Sequence, residues 1–223
     1  MRFYTKTHQH YCGIDLHAKK MFVCILNAEG SIVLHRNIAT SPEDFLRVIA
    51  PFRDDLVVGV ECMFAWYWLA DLCNRENIDF VLGHALYMKA VHGGKVKNDK
   101  IDSQKIAGLL RGGMFPMAYV YPPEMRATRD LLRRRCFLVR RRADLLGHVH
   151  STAIQYNLPE IGVRLTYEGP RSTVPDHFPD PEVRKIVQID LAMIDAYDDV
   201  IGALEWELEK TSRRQDRRTL MLL

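Results

Sequence analysis

Four acidic residues in three separate segments have the types and spacing of a metal site: Asp15 in YCGIDLH, Glu61 in VVGVECM, and Asp99 with Asp102 in KVKNDKIDSQKIA. Asp15 and Glu61 fall within or at the end of runs rich in β-branched residues. A carboxylate beside buried strand residues is costly unless it is paired or bound to a cation. Asp99 and Asp102 are three apart at the start of a helical pattern, so a helix would put them on one face. Hard divalent cations such as Mg²⁺ or Mn²⁺ take oxygen ligands of this kind. The chemistry open to such a cluster is phosphodiester cleavage or transfer, in which two ions about 4 Å apart activate a nucleophile and stabilise the leaving oxygen. Taken singly, Asp99 and Asp102 also read as ordinary helix N-terminal residues. A helix starting only at Asp102 would leave Asp99 as a loop ligand or a cap.

The formal charge of +3 hides an asymmetry: residues 89–142 hold 14 Lys and Arg against 4 Asp and Glu, whereas the remainder holds 17 against 24. A basic block beside an acidic cluster suits a protein that grips a polyanion and presents one of its phosphates to a metal. Lys95, Lys97 and Lys100 flank Asp99 and are candidate phosphate contacts. Arg133, Arg134, Arg135, Arg140, Arg141 and Arg142 form stripes further on, suited to nucleic-acid backbone, to acidic partner residues, or to both. His17 reads as a turn residue, with metal or substrate contact as the alternative. Trp66, Tyr67 and Trp68 fall on a helical pattern and read as core rather than as a stacking surface.

The elements that must carry these residues are those of an α/β protein. Alternating apolar residues in YCGIDLHAKKMFVCILNAEGSIVLHRNI predict three strands, with turns at His17 to Lys20 and Asn27 to Ser31. SPEDFLRVIAPF predicts a helix capped by Ser41 with Pro42 at its first position, ending near Pro51. DLVVGVE predicts a buried strand, AWYWLADLCNREN a helix ended at Asn77, and IDFVLG a further strand. HALYMKAVH predicts a short helix broken by Gly93 and Gly94. DSQKIAGLLRGG predicts a helix ending at Gly112 and Gly113, and FPMAYVYPPE an extended segment.

From Glu124 to about Tyr156, leucines and valine at 131, 132, 138, 139, 145 and 146 recur in sevens, the pattern of a helix pair or coiled coil. Five prolines between Asn157 and Pro181 mark a linker or loop over 157–181. The next pattern carries Ile186, Ile189, Leu191, Ile194, Ile201 and Leu204 on an apolar face and predicts a second long helix, antiparallel to the first. The division expected is a metal-site domain over 1–122 and a helical linker and dimerisation region over 123–223. The closing RRTLMLL reads as an element that continues, so a missing C-terminal part is expected.

With 48% hydrophobic residues in 223, the chain can bury one good core and a smaller appendage. Its apolar runs are too short or too interrupted to span a bilayer, and MRFYTKTHQHY has no signal-peptide core, so a cytoplasmic location is the default. Five cysteines without CxxC spacing read as reduced and mostly buried.

The order GIDLH, then GVE, then KNDKIDSQKIA, on three strands followed by helix, strand and helix, resembles the N-terminal domain of the DEDD-type transposases of insertion sequence family 110. The resemblance runs from about Tyr11 to Tyr156 and includes the VYPP segment before the arginine-rich helix. It implies a RuvC-like, ribonuclease-H-type fold, an acidic tetrad of Asp15, Glu61, Asp99 and Asp102 coordinating Mg²⁺, DNA recombination under the guidance of an RNA, and a helical linker that dimerises. Family members carry a further domain with a serine nucleophile. Ser103, Ser151 and Ser172 do not match its motif.

Two other readings compete. One is a catalytically silent module that binds nucleic acid and dimerises. The other is a sugar or acetate kinase of the actin-like fold, for which the glycine-rich phosphate loops are lacking.

Overall fold

A two-residue strand, β1 (Phe3–Tyr4), precedes three longer strands, β2 (His10–Leu16), β3 (Lys20–Asn27) and β4 (Ile32–Ala39). The computed structural model describes every residue except Met1, 93–97, 159–160, 162–164, 166–170 and 216–223. The turns after β2 and β3 fall where the sequence puts them: the His17 amide donates to the Lys20 carbonyl, and Gly30 takes a φ of 90°. Helix α1 (Pro42–Ile49) is capped by Ser41, whose hydroxyl accepts from the Asp44 amide, and it passes into a 3-10 helix, Ala50–Asp55. Strand β5 (Leu56–Glu61), helix α2 (Trp66–Arg75) and strand β6 (Asp79–Gly83) follow. Asn77, at a φ of 53°, closes the turn after α2.

Helix α3 (Ala85–His92) comes next; Gly93 and Gly94, expected to break it, lie outside the described residues. Helix α4 (Asp99–Arg111) starts earlier than a start at Asp102 would require, because Asn98 is its cap: the Asn98 side chain accepts from the Lys100 amide at 3.0 Å. Asp99 and Asp102 therefore both belong to its first turn. The helix stops at Gly112 and Gly113, the latter at a φ of 67°. Strand β7 (Phe115–Pro116) then pairs with β1, a pairing that two residues of sequence do not signal.

The five main strands form one mixed sheet in the order β4-β3-β2-β5-β6, antiparallel from β4 to β2 and parallel from β2 to β6. One face packs Cys12, Ile14, Val23, Val58 and Val60 against Phe45 and Ile49 of α1 and Trp66, Leu69 and Leu72 of α2. The other packs Tyr11, Val57 and Val81 against Ile106, Leu109 and Leu110 of α4. On that second face Gly13 and Gly59 are direct partners in the β2/β5 register. A Cβ on Gly13 would lie 2.2 Å from the Ser103 carbonyl oxygen, and one on Gly59 would lie 2.5 Å from Leu110 Cδ1. Two adjacent residues without side chains thus form a trough in which α4 rests on the strands themselves.

Residues Met1–Tyr121 form one compact unit and Pro122–Leu223 a second. In the second, α5 (Pro123–Gln155) and α6 (Pro181–Gln215) run antiparallel, joined by Arg135 to Glu205 at 2.5 Å and by Arg142 to Asp198. Both partners step by seven residues in opposite directions. The apolar seam of α6 is Val187, Ile194, Ile201 and Leu208, again in sevens, together with Leu191. Ile186 and Ile189, expected on that face, are exposed, because a seam of period 3.5 facing α5 leaves them on the next stripe. The proline-rich stretch read as a linker contributes buried Ile161, Leu165, Val174 and Phe178 to a core with Val149, Ala153, Val187 and Leu191. Leu223 and its neighbours in RRTLMLL lie outside the described residues. No described helix is long and apolar enough to cross a membrane.

Candidate metal centre

Asp15 is the penultimate residue of β2, on the same face as Gly13 and so beneath α4. The parallel register pairs Ile14 with Val60, and Asp15 and Glu61 are the residues that follow this pair at the carboxyl ends of β2 and β5. Carboxyl ends of neighbouring parallel strands are where open α/β sheets hold ligands. Helix α4 crosses this point with its first turn, supplying Asp99 and Asp102.

The side chains that meet most closely are Asp15, His17 and Asp99: one ligand atom from each lies within 4.8 Å of the other two. His17 Nε2 is 3.3 Å from Asp15 Oδ2 and 3.8 Å from Asp99 Oδ1. Asp15 is partly buried, whereas His17 and Asp99 are open to solvent. Burial, and then the negative charges of Asp99 and Asp102, push the Asp15 carboxyl up from its ordinary 3.8, while His17 opposes them. A cation among these carboxylates would relieve that repulsion. Two carboxylates and an imidazole nitrogen form a donor set that could hold a divalent metal ion.

The four acidic residues read from the sequence are not all in this inner group. Asp102 bonds Lys105 Nζ at 3.2 Å, and Glu61 stands at its strand end outside the three-residue cluster. Of the candidate phosphate contacts, Lys100 is exposed in the first turn of α4, and Lys95 and Lys97 lie outside the described residues. The arginines of α5 divide by face. Arg135 and Arg142 are taken by α6, whereas Arg133, Arg134, Arg140 and Arg141 are exposed, with Arg134 and Arg141 each 5.2 Å from the Phe137 ring centroid and Arg141 bonded to Asp144 at 3.2 Å.

The DEDD transposase family of the IS110 type, described as a transposase, matches residues 12–157, from β2 through the end of α5. The chain belongs to this family. The matched span holds all four acidic residues and every arginine of the α5 stripes, and a transposase has DNA as its partner. No curated protein matches the chain.

Of two histidines near the centre of this transposase, the sequence reads His17 as a turn residue with metal or substrate contact as the alternative, and does not single out His35. His17 both begins the turn after β2 and faces Asp15; its only signal was its place two residues after the aspartate. His35 lies on β4, the far edge of the sheet, with Nε2 2.9 Å from the Lys100 carbonyl and 3.3 Å from Ser103 Oγ. No local pattern reports a contact spanning 65 residues.

Proposed function

We propose that this transposase carries out metal-dependent phosphodiester chemistry on DNA at the Asp15 centre, on a RuvC-like, ribonuclease-H-type fold. Three antiparallel strands followed by two parallel ones, with α4 across the carboxyl ends, support that assignment of fold. Asp15, Glu61, Asp99 and Asp102 would hold Mg²⁺ or Mn²⁺, and His17 lies against the same carboxylates. The observation that carries the reading is the approach of Asp15, His17 and Asp99 to within 4.8 Å from two segments 84 residues apart in sequence numbering.

When bound, divalent ions supply charge neutralisation at the phosphate and activation of an attacking oxygen. The chain's own residues do the rest. Asp15 is fixed by its strand, Asp99 by a capped helix turn, and Lys100 stands beside them to hold a phosphate. His17 Nε2, hydrogen-bonded to Asp15, can hold a proton at the edge of the centre. The exposed Arg133, Arg134, Arg140 and Arg141 bind nucleic-acid backbone, and guidance by an RNA gives them a second strand to grip. The long helices pair two copies of the chain, and the protein works in the cytoplasm.

A silent binding and dimerisation module is the second reading, favoured by the engagement of Asp102 with Lys105. Mg²⁺-dependent strand cleavage or joining on element-end DNA, compared between the wild type and Asp15→Asn, separates the two. Activity lost with nucleic-acid binding kept supports the enzyme; binding without any metal-dependent activity in the wild type supports the module.

A further inference from the structure

Immediately after Glu61, residues 62–65 connect β5 to α2 and expose two large apolar side chains: Met63 is 51% and Phe64 78% accessible. The backbone carrying them is tied at both ends. The Cys62 amide donates to the Gly83 carbonyl at 2.8 Å, the Met63 amide donates to the Glu61 carbonyl at 2.7 Å, and Trp66 is buried in the core two residues on. Phe64 thus stands exposed beside Met63 on a loop anchored at both ends, two adjacent large apolar side chains facing water together. The end of β6 adds to the rim: Glu61 pairs with Gly83, and the helix that follows exposes Leu86 at 73% and also Tyr87. Lys89 on α3 and Lys100 on α4 are exposed beside these strand ends.

We propose that Phe64, backed by Met63, is a stacking wedge for an unpaired base of the DNA strand delivered to the acidic centre. The proposal rests on the nucleic-acid reading of that centre. One flat ring and one polarisable thioether at the tip of a short loop match the face of a single base, and every base offers such a face. The lysines complement the phosphates on either side. Stacking on Phe64 also gives a physical role to its spacing: three residues beyond Glu61, it sets the distance between the stacked base and the phosphate held by the carboxylates.

The test uses the full chain and single-stranded DNA carrying one 5-iodouracil, without divalent metal. Ultraviolet cross-linking should attach the base to the peptide containing Phe64. Phe64→Ala should weaken binding by roughly fivefold to a hundredfold, the range expected for loss of one stacked base, and Phe64→Trp should restore it. Thermal melting confirms that both variants fold. Equal affinity of Phe64→Ala and wild type, or a cross-link located only on α5, would overturn the proposal; a Phe64-dependent preference for RNA of the same sequence would overturn the assignment to DNA. Stacking retained in a protein that binds no Mn²⁺ would remove the metal reading alone, and Mn²⁺ binding without Phe64-dependent affinity would remove the wedge alone.

Discussion

His35 Nε2 lies 2.9 Å from the carbonyl oxygen of Lys100 and must donate to it, so the edge strand β4 holds the first turn of α4 in place from across the sheet. That turn carries Asp99 and Asp102. His35→Ala should lower divalent-metal affinity severalfold while costing about 1 kcal/mol of stability, the worth of one hydrogen bond. His35→Gln keeps a donor and should recover much of the affinity. Isothermal titration with Mn²⁺ and urea unfolding measure the two effects separately.

Gly13 governs the same geometry from below. Gly13→Ala puts a methyl into the Ser103 carbonyl and the Ala107 amide, which are backbone atoms that no rotamer change can move aside. We expect a loss of about 3 kcal/mol or more, with α4 displaced from β2. Gly59→Ala meets only the Leu110 side chain and should cost less. Chemical denaturation of the two variants tests the order.

Asp15 sets a pH dependence whose sign is opposite to that of an ion-paired carboxylate. Burial first, then Asp99 and Asp102, raise its pKa in the folded state, so the folded protein holds a proton that the unfolded chain has already released. Stability of the metal-free protein therefore falls as pH rises from the ordinary carboxylate value through the raised one, and the penalty persists above it. At neutral pH, Asp15→Asn should melt a few degrees higher than wild type in chelator. It should also lose the gain in Tm that Mn²⁺ gives the wild type.

In the helical unit the sign reverses. Burial pushes the Asp198 carboxyl up, but hydrogen bonds from Arg142 and Arg171 outweigh it and leave the group below its ordinary 3.8. The stability this gives is present above that value and is lost as pH falls through the lowered one. Arg171 is buried and also bonds Asp195 at 2.5 Å. Arg171→Met should cost about 2 kcal/mol at neutral pH and much less in acid, as read from urea unfolding across the pH range.

How far the sequence reaches depends on the range of the contact involved. Alternation around Cys12, Ile14 and Leu16, the Ser41 cap and the Gly112–Gly113 stop are local, and the structure follows them. Asp15 and Glu61 could be named because carboxylates are out of place in strands, and Asp99 with Asp102 because residues three apart share one face of a helix. Their order of approach could not, since it follows from the trough over Gly13 and Gly59, which appears only when β2 and β5 pair. The Asn98 cap was obscured by two aspartates just behind it, either of which can cap a helix. On α6 the misplacement of Ile186 and Ile189 arose because an apolar residue on a long helix does not say which of two stripes faces the partner. The prolines of 157–181 suggested a loop, yet Ile161, Val174 and Phe178 among them are buried.

The central claim is that Asp15 and Asp99 together hold a divalent cation. Electron paramagnetic resonance of Mn²⁺ titrated into the wild type, Asp15→Asn and Asp99→Asn measures it without any nucleic acid. Saturable binding in the wild type that is weakened tenfold or more in each variant is the result expected; Mn²⁺ that stays free, or that binds all three proteins alike, would contradict the account.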